Sequence, residues 1–98
     1  QMNTNSLVPR IEKEVIKSLH FPKDDVLFSN EDRLIRSNDL KNAISLGNLE
    51  HQKVKILFQD IEGLKQVETT IWGVTDREVI LKQGSIIPIS RIVKINLY

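Results

Sequence analysis

Two histidines, His20 and His51, and no cysteine make up this chain's stock of the side chains most used as bases, nucleophiles and soft metal ligands. Neither histidine lies near a G-x-S-x-G elbow or another motif that would hold a nucleophile against a base, so no catalytic triad can be drawn. The four glycines, at 47, 63, 73 and 84, are scattered and form no phosphate-cradling loop. Carboxylates gather in "QDIEG" and "TDRE", where Asp60, Glu62 and Asp76 could offer oxygens to a hard cation; Asp and Gly are also what tight turns require. No catalytic residue, metal or cofactor is therefore expected. The residues best suited to binding are basic and aromatic: Lys55, Lys65, Trp72, Lys82, Arg91 and Lys94 could place cations on phosphates beside a ring that stacks on bases. The same set also suits a solvated face around a core tryptophan.

These residues need elements to position them, and the hydrophobic spacing supplies two kinds. Val8, Ile11, Val15, Ile16 and Leu19 recur at helical steps, which predicts an amphipathic helix from Pro9 to Phe21, capped by Asn5 or Ser6 and stopped by Pro22. The stretch "DDVLFSNEDRLIRS" reads either as a hairpin turning at "SNED" or as a loop entering a helix, and the hairpin or irregular form is preferred. "SNDLKNAISLGN" predicts a short helix ending at Gly47. After residue 50 the period becomes two. Val54, Ile56 and Phe58 alternate with Lys55 and Gln59 in a first strand, and "DIEGLK" turns it back. "QVETTIWGVT" predicts a long second strand whose apolar residues change face midway, with a bend or bulge at Gly73. "VILK", "IIPIS" and "IVKINL" complete five strands, with a tight turn at Gly84-Ser85. The expected fold class is α+β: a helical N-terminal segment, 1–50, packed as part of one domain on a five-stranded SH3-like or Sm-like β-barrel, 51–98.

Composition narrows the setting. With 98 residues, 40% hydrophobic and 28% charged, the chain reads as one ordinary globular domain. No apolar run approaches a membrane span, and the first ten residues carry no basic-then-apolar leader pattern, so neither a membrane partner nor export is expected. The absence of cysteine suits a reducing, cytoplasmic compartment. Seven basic and eight acidic residues fall in 1–50 and seven basic and five acidic in 51–98, leaving the second half near +2, a weak field for nucleic acid.

The segment from Val54 to Ile95 carries the pattern V-x-I-x-F, E-G, V-x-T-T-[VI]-W, V-x-L-K-x-G and I-P-[IL]-x-R-I. It resembles a group of short, functionally uncharacterised bacterial proteins of the Bacteroidetes type, which implies no activity. The order of elements is also similar to Sm-like proteins, including the bacterial Sm-like RNA chaperone. That resemblance implies RNA binding and rings in which the fourth strand of one subunit pairs with the fifth of the next. Where the chaperone family has lysine and histidine in the fourth-to-fifth strand motif, this chain reads "IPISRI", with Arg91 the one basic residue.

The run "IIPIS" raises the sharpest expectation. Ile86, Ile87 and Ile89 cannot all face one interior, because neighbours on a strand point to opposite sides. Ile86 or Ile87 should therefore meet either the N-terminal helix or another chain, and Pro88 should blunt the strand's edge. The expected function is a small non-enzymatic binding or interaction module with a protein partner or a homo-oligomeric partner, self-associating through edge strands; RNA or single-stranded DNA binding through Lys55, Trp72, Lys82, Arg91 and Lys94 is the alternative.

Overall fold

The computed structural model describes residues 8–50 and 53–97, with side-chain detail for all of these except 46–50 and 97. The caps expected at Asn5 or Ser6, and His51, lie outside the described residues. The fold is α+β. Among the described residues one α-helix, α1 (Asn30–Glu50), accompanies six strands: β1 (Val54–Asp60), β2 (Gly63–Thr69), β3 (Ile71–Val74), β4 (Glu78–Leu81), β5 (Ile86–Pro88) and β6 (Ile92–Leu97). They form two open, antiparallel, three-stranded sheets in the orders β2-β1-β6 and β3-β4-β5. Among the described residues no helix is long and apolar enough to cross a membrane.

The two-residue period builds the core as expected. Val54, Ile56 and Phe58 of β1 face inward with Val67, Ile92 and Ile95, and meet Ile71, Val79, Leu81 and Ile87 from the second sheet. Helix α1 adds Leu40 and Ala43 and packs against both β6 and β3, bridging the two sheets on one side. Ile16 fills the core from the N-terminal segment, whose 3-10 turn, Lys13–Ser18, touches both β2 and β5.

Three expectations give way. The helix expected from Pro9 to Phe21 shrinks to that six-residue 3-10 turn, because the backbone on either side is used elsewhere. Pro9 O accepts the N–H of Gln66 and the N–H of Ile11 donates to Gln66 O, so this segment lies along the open edge of β2. The backbone N–H of Ile61 reaches His20 O, and that of Val26 reaches Ser90 O, so the chain continues as a strap over the β1–β2 turn to the approach of β6. Second, residues 30–36 are helical rather than a hairpin, and α1 runs through Gly47 instead of stopping there. The start is fixed by Ser29, whose hydroxyl accepts the N–H of Asp32. Third, the long second strand divides into β2 and β3 at Thr70, giving six strands rather than five. The register slips between Ile71 and Gly73, leaving Trp72 as the extra residue. That bulge lets Ile71 and Val74 both serve the inner face while Trp72 turns outward.

Candidate functional site

The outer face of the second sheet departs from the usual polar exterior. Inward Val79 and Leu81 put Glu78 and Ile80 on the outside of β4. Leu81 is extended, so the chain emerges with Lys82 on that same outer side before the 3-10 turn Lys82–Gly84. On β5, Ile87 is 0% exposed in the core while Ile86 is 42% exposed on the outside. Ile86 is the cross-strand partner of Ile80, and Ile80 is the partner of Gly73 beside the bulged Trp72, which is 59% exposed. Trp72, Ile80 and Ile86 thus form one row across three strands. Helix α1 packs on β3 and β6 and the Lys13–Ser18 turn on β2 and β5, yet Trp72 and Ile86 stay exposed at the two ends of the row, with Ile80 half-buried between them.

The edges beside the row are less available. Ser85 O accepts the N–H of Leu81, and the N–H of Ile89 donates to Arg77 O, so residues 85, 87 and 89 turn their polar groups toward β4 and residues 86 and 88 turn theirs away. Pro88 has no N–H, which leaves the N–H of Ile86 as the strand's outward donor. On the other sheet the edge of β2 is taken by Pro9–Ile11, and Ile92 O of β6 accepts from Arg36 Nη1 at 3.0 Å.

The expected cations divide. Lys82 is exposed at the end of β4, where its N–H donates to Thr70 O, and Lys94 is exposed on β6. Lys55 is half-buried on the outer face of the first sheet, opposite Glu68 and Asn96. Glu68 in turn pairs with Arg10 at 3.1 Å. Arg91 is turned inward: Nε donates to Gln59 O at 2.9 Å and Nη1 to Asp24 O at 2.8 Å, so its guanidinium clamps the strap to β1. It is a structural arginine, and the surface role expected for it does not fit its burial.

The carboxylates are likewise committed to structure. Burial pushes the Asp60 carboxyl pKa up, but Lys65 at 2.6 Å and the N–H groups of Glu62 and Gly63 outweigh it and hold the carboxyl below its ordinary 3.8. Those bonds close the β1–β2 turn, where Gly63 takes a φ of 140°. Asp76 lies apart, on the loop before β4, so the three acids do not converge.

A polar cleft of about 610 Å³ opens between residues 21–25, Arg36 and the β3–β4 and β5 region. At its back Arg36, buried, binds Asp25 through both terminal nitrogens at 2.9 and 2.8 Å. The guanidinium beside Asp25 holds that carboxyl below 3.8, with the Leu27 N–H assisting. These groups satisfy each other and tie α1 to the strap. A second exposed apolar group, Phe28, Leu34 and Ile35, sits at the start of α1. Leu34 and Ile35 are consecutive and diverge by about 100° around the helix, so they share no flat face.

Compared with protein-family models, with curated proteins and with solved structures, the chain finds no match in any of the three.

Proposed function

We propose that this chain is a small non-enzymatic interaction module that docks a partner on the outer face of β3-β4-β5, with Trp72, Ile80 and Ile86 as the contact row. The observation that carries this is the exposure of Trp72 and Ile86 on one aligned row of a sheet whose opposite face is fully used by the core. Large apolar side chains grouped on a sheet exterior cost solubility, and aromatic residues set in such patches are typical contact anchors. Association through this face is better supported than edge-strand pairing, because β2 and β6 already spend edge groups within the chain and Pro88 removes a donor from β5. A non-enzymatic role is supported by the way Asp25 and Arg36 are consumed by each other in the cleft of about 610 Å³. A finer reading of the fold goes with this, an SH3-like or Sm-like barrel as in the bacterial group the sequence resembles; the bend at Thr70 and the 3-10 turn Ile89–Arg91 before the last strand support it, while the two sheets themselves are open. A reducing cytoplasm suits a chain without cysteine.

The test is a photoreactive benzoylphenylalanine placed at position 86, with position 94 on the first sheet as control. Adducts from 86 and none from 94 support the assignment; adducts from 94 alone overturn it. One observation favours a second reading, nucleic-acid binding: exposed Trp72 and exposed Lys82 both border the second sheet, and Lys82 has no ion-pair partner among the described residues. A labelled single-stranded oligonucleotide of about 12 nucleotides, titrated at low and high salt, decides it. Binding that falls steeply with salt and disappears in Trp72→Ala would put this second reading first.

A further inference from the structure

We infer that the partner on this face is a second copy of the same chain, docked sheet to sheet across a two-fold axis. This rests on the face being an interaction surface, and adds the charge pattern of β4. Glu78 and Ile80 of β4 and Lys82, the first residue of the turn after it, alternate with buried Val79 and Leu81 and so leave the chain on one side as acid, apolar residue and base. Neither Glu78 nor Lys82 has an ion-pair partner among the described residues. They are four residues apart on extended backbone, about 13 Å, too far to neutralise one another.

A two-fold axis lying in the interface and crossing β4 over Ile80 reverses the strand direction between copies. It sets Glu78 against the partner's Lys82 and Lys82 against the partner's Glu78. The row Trp72–Ile80–Ile86 runs across the strands, and so along that axis, because Ile86 and Gly73 are both register partners of Ile80. Each apolar residue therefore meets its own symmetry mate. An isologous contact requires this self-complementarity: an apolar line on the axis with opposite charges balanced about it. Stacked sheets lie about 10 Å apart, a gap that a glutamate and a lysine from opposite sides can close. Three side chains fall short of the ~800 Å² per partner of a standard interface, so the dimer is weak, with dissociation on the order of tens of micromolar or above.

Sedimentation equilibrium of the full chain from about 10 μM to about 1 mM tests this. The weight-average mass should rise from 11.3 kDa toward twice that value. Glu78→Lys and Lys82→Glu should each weaken association by about tenfold or more, since each reversal turns two symmetry-related attractions into repulsions. Mixing the two single variants should restore association, because the two lysines of the Glu78→Lys copy then face the two glutamates of the Lys82→Glu copy. Far-UV circular dichroism and an unchanged thermal midpoint establish that the exposed-site variants fold. A monomer throughout overturns the inference, and so does a dimer that ignores both reversals. If the pure chain stays monomeric while position 86 cross-links to a different protein, the second copy is excluded and the docking face stands. If position 86 cross-links to nothing and the chain is monomeric, both fall.

Discussion

The two sheets share a core and differ on their outer faces. The first sheet carries Lys55, Gln59, Glu68, Lys94 and Asn96 outward, with Leu57 and Gln66 buried and Leu64 half-buried among them. The second carries exposed Trp72 and Ile86 with half-buried Ile80 between them and exposed Glu78 beside it. An antiparallel sheet with one wet face needs only the first pattern. Among the described strand residues the exposed large apolar side chains are Trp72 and Ile86, both on the second sheet.

The pair Ile86 and Ile87 puts the contrast into adjacent residues, and the largest predicted effect breaks it most sharply. Ile87→Ala should lower unfolding free energy by about 3 kcal/mol through a cavity in the core, whereas Ile86→Ala should change it by no more than about 0.5 kcal/mol, measured by urea denaturation. Equal losses at both would mean that the outer row is part of the fold.

A second prediction separates the polar cleft from the outer row. Asp25→Ala should cost about 2–3 kcal/mol, because the buried Arg36 guanidinium loses its bidentate partner, and should leave association untouched. A third concerns pH. Asp25 and Asp60 both have folded pKa values below the ordinary 3.8, so each contributes stability that is complete above that value and is lost as pH falls below it toward the folded values. The denaturation midpoint should be flat from about pH 5 to 8 and drop below about pH 4, and Asp60→Asn should shallow the drop. The smallest effect is expected on the wet face, where Lys94→Glu should change neither folding nor association; a loss of association would move the docking surface to the first sheet.

How much of this was readable from sequence follows from where side-chain pattern and burial coincide. The alternation of β1, the Asp60–Gly63 turn and the opposite fates of Ile86 and Ile87 follow from a period of two, which burial obeys. The helix at 30–36 was hidden because its pattern is inverted: Leu34 and Ile35 are exposed and the buried residue is Arg36. The signal for it is Ser29 with Asp32 three residues later, a capping pair whose residues also suit a turn. The N-terminal segment misled in the other direction. Its helical spacing is real, yet Val15 is exposed and the segment gives its backbone to β2, a non-local bond that no local period reports. Arg91 looked like a surface cation because a sequence does not show that Gln59 O and Asp24 O converge on its guanidinium.

The central claim is most directly tested by the chain's single tryptophan, Trp72, which lies on the proposed axis. Its fluorescence should be quenched readily by acrylamide in dilute solution. With rising protein concentration the emission should shift to the blue and the quenching should fall, and the Glu78→Lys variant should stay at the dilute values. Emission and quenching that do not change with concentration in the unmodified chain would contradict a sheet-to-sheet pair.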